Sequence, residues 1–362
     1  MLYHMNMAPH FVRQTVRHMD GYTPGEQPGV GDRVVKLNIN ENPFPPSPKV
    51  MQAIREIESE ALRRYPNPTA DMFRAAAAKL WGVSIDHVIA GYGSDDILTI
   101  ATRTFVGPGE KLAYPDPTYS LYPVLAKLED AKVVTVPWEK DWALPIEGLA
   151  DTDAAAIYLA NPNAPSGTFV PPADVAMLAK KFKGVVLVDE AYADFAEDNC
   201  VALVKDHANV VVSRSLSKAY SLAGLRFGYA IAQPAVIDQM MKVKDSYNCD
   251  AISVIAATAA IEDQEYAARS WEHVKAERQR LTDELNQIGW NVIPSQANFL
   301  LATVPGGHAK AAYLGLKEQG ILVRFFDKPG LNDKLRITVG TSQENNALLG
   351  GIKALASSEK AA

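Results

Sequence analysis

Cysteine is nearly absent from this chain: Cys200 and Cys249 are the only two in 362 residues, and they stand at no metal-ligand spacing. That excludes a disulfide framework and a cysteine-based metal site, and it fits a reducing compartment. Long hydrophobic runs are missing too. The nearest candidate, 251–261, is too short to cross a bilayer. The opening Met-Leu-Tyr-His-Met-Asn-Met-Ala-Pro-His lacks the basic-then-apolar order of a secretion signal, so a cytoplasmic location is expected. Neither charge dominates: the net charge is −6 with both signs mixed along the chain, which argues against nucleic acid or an anionic membrane as the main partner. No internal repeat or low-complexity segment occurs.

What is present is organised around 210–230. The β-branched run Val210, Val211, Val212 reads as a buried strand. It breaks into a turn carrying Ser213, Ser215 and Ser217, followed at once by Lys218 and, after Gly224, by Arg226. A lysine just past a buried strand end sits partly desolvated, where its pKa falls and its amine becomes a nucleophile able to form a Schiff base. Hydroxyls and a guanidinium beside it suit a phosphate. Taken alone, such a turn is more often an ordinary solvated loop.

The other parts of one site lie elsewhere in the chain. After a broken arm with a short helix at about 8–19 come an extended strand at 37–40 and a proline-rich stretch, 43–48, which forbids helix. Ser47 and Pro48 then open a helix at about 48–60. A strand at 87–90 runs into Gly91-Tyr92-Gly93-Ser94-Asp95-Asp96, a tight turn that delivers a helix N-terminus (97–105) as an anion site, or simply as a helix capped by Ser94 or Asp95. Strands follow at 111–114, 132–136, 155–159, 185–188 and 209–213, with a helix at about 171–182. This alternation predicts an α/β fold with a mostly parallel open sheet. Asn161, Asp189, Lys218 and the Gly93-Ser94 turn all fall at strand carboxyl ends, where such sheets bind ligands. Tyr119, on a turn bounded by Pro115 and Pro117, is placed to cover a flat ring. A helix at 265–288 leads to a small α+β unit with strands at 291–294, 321–325 and 334–339, a helix at about 307–319, and a tail frayed beyond 355. The expected division is an arm over 1–45 packed with the small domain, a large domain over 46–270 and a small domain over 271–362.

A Schiff-base lysine, a carboxylate at a strand end and a phosphate cradle together match the needs of pyridoxal 5′-phosphate: an amine to hold it, an acid to keep its ring nitrogen protonated and an anion site. The stretches 37–44, 64–66, 91–96, 115–119, 161–167, 188–192, 215–226, 295–299 and 335–340 follow one another as in a known family. In them the chain resembles the fold-type-I aminotransferases, and more closely the histidinol-phosphate aminotransferase family. The resemblance implies that Lys218 carries the cofactor and shuttles a proton, and that Asp189 pairs with the ring nitrogen. It further implies that Asn161 and Tyr192 bond the ring oxygen and that Tyr119 stacks on the ring. Gly93, Ser94, Asp95, Ser215, Ser217 and Arg226 would hold the phosphate, with Tyr65 reaching in from a second subunit of a homodimer. Tyr22, Asn42, Arg324 and Arg336 would bind the substrates, histidinol phosphate and glutamate or 2-oxoglutarate, in alternate halves of a ping-pong cycle. Pro46 and Tyr92 depart from the family pattern. Aromatic amino-acid transamination is the main alternative. A decarboxylase of the same fold and a non-catalytic cofactor-binding regulator are the more distant ones.

Overall fold

The computed structural model describes residues 9–361 apart from 30 and 32, with side chains as far as Ser357. The start of the expected arm, including the first residue of its helix, lies outside that range. The described arm carries a helix at Gln14–His18 and the short strand β1 (Val35–Lys36). A seven-stranded sheet is then built from β2 (Val88–Gly91), β3 (Lys111–Asp116), β4 (Lys132–Pro137), β5 (Ala156–Ala160), β6 (Val185–Asp189), β7 (Val210–Ser215) and β8 (Gly228–Ile231). Its order is β2-β8-β7-β6-β5-β3-β4. Only β8 runs antiparallel to its neighbours.

The strands are apolar at successive positions because both faces of the sheet are covered. Val186, Val188, Val210 and Val212 point into one core, against Phe73 and Ala77 of the helix Asp71–Trp81 and Val175 and Leu178 of Pro172–Lys181. Leu187 and Val211, one residue out of phase, point into the other, against Ile97 and Leu98 of the helix Ser94–Phe105 and Ile237 and Met240 of Pro234–Val243. The apolar stretch 251–261 is the helix Ala251–Glu262, packed against three other helices inside the protein. Among the described residues no helix is long and apolar enough to cross a membrane.

The C-terminal part holds β9 (Asn291–Val292), β10 (Phe299–Thr303), β11 (Ile321–Leu322), β12 (Arg324–Phe325) and β13 (Lys334–Thr338). Four of these form an antiparallel sheet, β12-β13-β10-β9, while β11 pairs in parallel with β1. The strand expected at 321–325 is thus two, divided between two sheets at Val323. The strand expected at 37–40 is displaced to β1, because the backbone after Lys36 turns to pass Lys218 and Asn40 takes a positive φ of 59°. The helix at Ser342–Ala361 continues through the tail expected to fray.

The arm divides its contacts. Arg13 and Thr15 bond Asp130 in the sheet domain, whereas Glu26 meets Lys317 and Tyr313 and β1 joins β11 in the C-terminal part. The arm therefore touches both the sheet domain and the C-terminal part.

Behind the sheet edge, Arg214 is buried with two carboxylates, 2.7 Å from Glu190 and paired with Asp194, and lies 4.9 Å from the Trp81 ring centre. Arg214→Met would leave both carboxylates buried without their cationic partner. A loss of about 3–5 kcal/mol is expected in urea unfolding of the cofactor-free protein, and a loss below about 1 kcal/mol would show that the cluster carries no such penalty.

Candidate active site

The carboxyl ends of β2, β5, β6 and β7 converge on one cleft. At the end of β2, Gly93 has φ 87°, and a Cβ there would lie 2.8 Å from Arg226 Nη2. Across from it, a Cβ on Gly228 would lie 2.4 Å from the Ser94 nitrogen. Only glycine lets the helix Ser94–Phe105 come this close to β8. Its first N–H groups, at Ser94 and Asp95, have no carbonyl inside the helix to bond. Arg226 Nη1 donates to Ser217 Oγ at 3.3 Å, Ser215 Oγ accepts from Ser217 N at 3.2 Å, and the Asp95 carboxylate lies 3.4 Å from Arg226 Nη2. This is a cationic cradle lined by N–H and O–H donors.

Lys218 lies on the short helix Leu216–Ala219 directly after β7, and its Nζ donates to the Ile39 carbonyl at 3.0 Å. Burial lowers its pKa to about 8, and Arg336 and Arg226 push the same way while Glu41 and Asp95 oppose. Asp189, at the end of β6, accepts from Tyr122 Oη at 3.0 Å and from Ser213 Oγ at 3.3 Å. Burial nevertheless raises its carboxyl to about 6. Tyr119 donates to Asp95 Oδ1 at 3.2 Å and meets the Tyr22 ring edge-on at 5.9 Å.

On the C-terminal side, Arg336 Nη2 donates to the Asn38 carbonyl at 3.1 Å, and the guanidinium lies over the rings of Phe299 and Phe326. Its buried Nε–H has no acceptor. Arg324 also lies over Phe326, with one N–H 3.5 Å from the Pro24 carbonyl.

Two sequence-derived placements change. The Asn161 amide is consumed by its own loop: Nδ2 donates to the Val170 carbonyl at 2.9 Å and Oδ1 accepts from Val170 N at 2.8 Å. Its second amide hydrogen is directed at Cys200 Sγ, 3.8 Å away, so it braces its surroundings and has no donor left for a ring oxygen. The Asn42 amide is spent likewise, on the carbonyls of Lys218 (3.0 Å) and Ala219 (3.4 Å) and on Phe44 N, so it shapes the lysine turn and does not face substrate. Tyr65, expected to reach into a second subunit, is 81% exposed and stacked on Tyr247 at 4.5 Å. Tyr122 is a residue the sequence reading missed. Its Tyr-x-x-Tyr spacing with Tyr119 was the available signal, since side chains three apart in a helical turn are neighbours.

A family described as "Aminotransferase class I and II" matches residues 32–352. The chain is 47% identical to histidinol-phosphate aminotransferase 1 of Trichormus variabilis, over 95% of this chain and 99% of that one. It is 46% identical to the histidinol-phosphate aminotransferase of Rhodopirellula baltica, over 93% of each. The chain belongs to the histidinol-phosphate aminotransferase family, within the class I and II aminotransferases. Its fold is that of the Sinorhizobium meliloti histidinol-phosphate aminotransferase solved in complex with pyridoxal-5′-phosphate, with a TM-score of 0.87, 25% identity and coverage of 96% of this chain and 99% of that one. As a family member this chain is an aminotransferase, and the expected fold type holds.

The raised carboxyl of Asp189 has a consequence for stability. Its folded pKa of about 6 exceeds the ordinary 3.8, so its protonation favours the folded state at low pH and that contribution is lost as pH rises through about 6. Without cofactor, the wild type should lose stability relative to Asp189→Asn between about pH 4 and 6 when unfolding is measured across pH. A constant difference between the two proteins would contradict the assignment.

Proposed function

We propose that this chain transfers the amino group of L-histidinol phosphate to 2-oxoglutarate in L-histidine biosynthesis, giving imidazole acetol phosphate and L-glutamate. It would work with pyridoxal 5′-phosphate, as a cytoplasmic homodimer with shared sites. The observation that carries the substrate reading is the pair Arg336 and Arg324, a second cationic centre apart from the Arg226 cradle. The buried, unpartnered Nε–H of Arg336 is a donor awaiting an anion, and burial presses that guanidinium below its ordinary pKa until one arrives.

The residues fit the cofactor. The cradle of Ser94, Asp95, Ser215, Ser217 and Arg226 would take its phosphate, Tyr119 would cover the ring, Asp189 would hold the ring nitrogen and Tyr192 would face the ring oxygen. Bound pyridoxal phosphate supplies an electron sink and carries the amino group between the half-reactions. Lys218, with its pKa brought to about 8, is the base able to take the proton leaving the substrate α-carbon and to return it. Tyr122 and Ser213 hold Asp189 from behind and favour its ionised form. Arg336 would receive the glutamate carboxylate, and Arg336, Arg324 and Tyr22 the phosphate of histidinol phosphate. Tyr65 with Tyr247, an exposed aromatic pair, supports a contact between copies in which Tyr65 reaches the other subunit's phosphate cradle. The aromatic walls around Arg336 are what favours the alternative substrate class, aromatic amino acids.

The test is a half-reaction followed by absorbance, with cofactor-loaded protein and no keto acid. Histidinol phosphate should convert the lysine-bound cofactor band efficiently and phenylalanine slowly, and the reverse order would make this an aromatic aminotransferase. Lys218→Ala should fold and bind cofactor but not turn over. Arg324→Ala should cost about 1.5–3 kcal/mol in kcat/KM for histidinol phosphate and distinctly less for glutamate. Equal losses would remove Arg324 from the phosphate role.

A further inference from the structure

Asn40 has every polar group engaged and is 1% exposed. Its backbone N donates to Thr338 Oγ1 at 3.0 Å, and its carbonyl accepts from Asn298 Nδ2 at 3.0 Å. Its side-chain Oδ1 lies 3.2 Å from the same Thr338 hydroxyl, and its Nδ2 lies 3.0 Å from Tyr192 Oη. The Thr338 oxygen accepts from that backbone N–H and sends its own hydrogen to Asn40 Oδ1. The amide so placed turns Nδ2, a donor, to the phenol. With its oxygen already accepting, the Tyr192 O–H is left to donate elsewhere.

Few other groups offer a donor on that side of the cleft. The amides of Asn161 and Asn163 are committed within their loop and to the Pro117 carbonyl, and the Ala164 side chain, packed with Phe299 beside Tyr192, has none.

We propose that Asn40 is a positioning residue for Tyr192, setting the phenol O–H as a donor to the ring oxygen of bound pyridoxal phosphate. This rests on the cofactor placement given above. The polarity runs one way, from the backbone of Asn40 through Thr338 and the Asn40 amide to the phenol. It passes through β13, the strand that also carries Arg336.

Absorbance titration of the lysine-bound cofactor, without substrate, reads this directly. A hydrogen bond to the ring oxygen stabilises the deprotonated form of that chromophore, so loss of the donor raises its apparent pKa. The charged and titratable groups facing Tyr192 (Arg336, Asp189, Tyr22) and Lys218 (Arg336, Glu41, Arg226, Asp95) stay in place in every variant. Tyr192→Phe should shift the pKa upward. Asn40→Gly, which tolerates the positive φ, should shift it upward by part of that, roughly half a unit. Asn40→Asp keeps the size but turns the donor into an acceptor that draws the phenol hydrogen inward, and should shift it further. Asn40→Gly added to Tyr192→Phe should shift nothing more. An undiminished Asn40→Gly shift in the Tyr192→Phe background, or no Asn40→Gly shift in the wild type, would overturn the proposal. No shift in Tyr192→Phe itself would instead overturn the placement of Tyr192 at the ring oxygen, and the proposal with it.

Discussion

The arrangement depends on holding one amine, Lys218 Nζ, where it is costly to keep charged. It lies beyond the end of a fully buried strand, with Arg336 and Arg226 near enough to disfavour its protonation. Among the described residues its one hydrogen-bond acceptor is the Ile39 carbonyl, which belongs to the segment running on from the arm. The lysine therefore sits where the sheet domain, the arm and the C-terminal strands meet. Each contributes to the balance: β7 the burial, the cradle and β13 the cations, and the arm segment the carbonyl.

Around that amine, polar side chains are rationed between bracing and reaching. Asn161 and Asn42 look like ligands but spend their amides on backbone groups, because a buried carbonyl or N–H left unpaired costs more than a ligand contact returns. The groups left with capacity to spare are the helix N–H groups at Ser94 and Asp95, Lys218, the Tyr192 hydroxyl and Arg336 Nε–H. Together they describe a ligand with an anionic end, a carbonyl to capture, a ring oxygen and a further anion from substrate.

Most of the fold and the centre of the site could be read from the chain. Apolar strands broken at Asp189 and Lys218, and the glycine turn before Ser94, are local patterns set by two-sided burial and by backbone conformation. What escaped was set by distant partners. β8 runs antiparallel with no local sign of its direction, and Tyr122 looks like a core tyrosine until Asp189 is placed beside it. Asn40 gains its role from Thr338, far along the chain. The errors over Asn161 and Asn42 share this cause, since a sequence shows an amide but not where its hydrogen bonds go.

The measurement that bears most directly on the central constraint is the pH dependence of cofactor capture by the cofactor-free protein, followed as the rate at which the lysine-bound absorbance appears. Capture requires the neutral amine. A half-point near pH 8 is expected, with Lys218→Ala showing no lysine-bound band. A half-point near the ordinary 10.5 would mean that the lysine is neither buried nor pressed by its arginines as described.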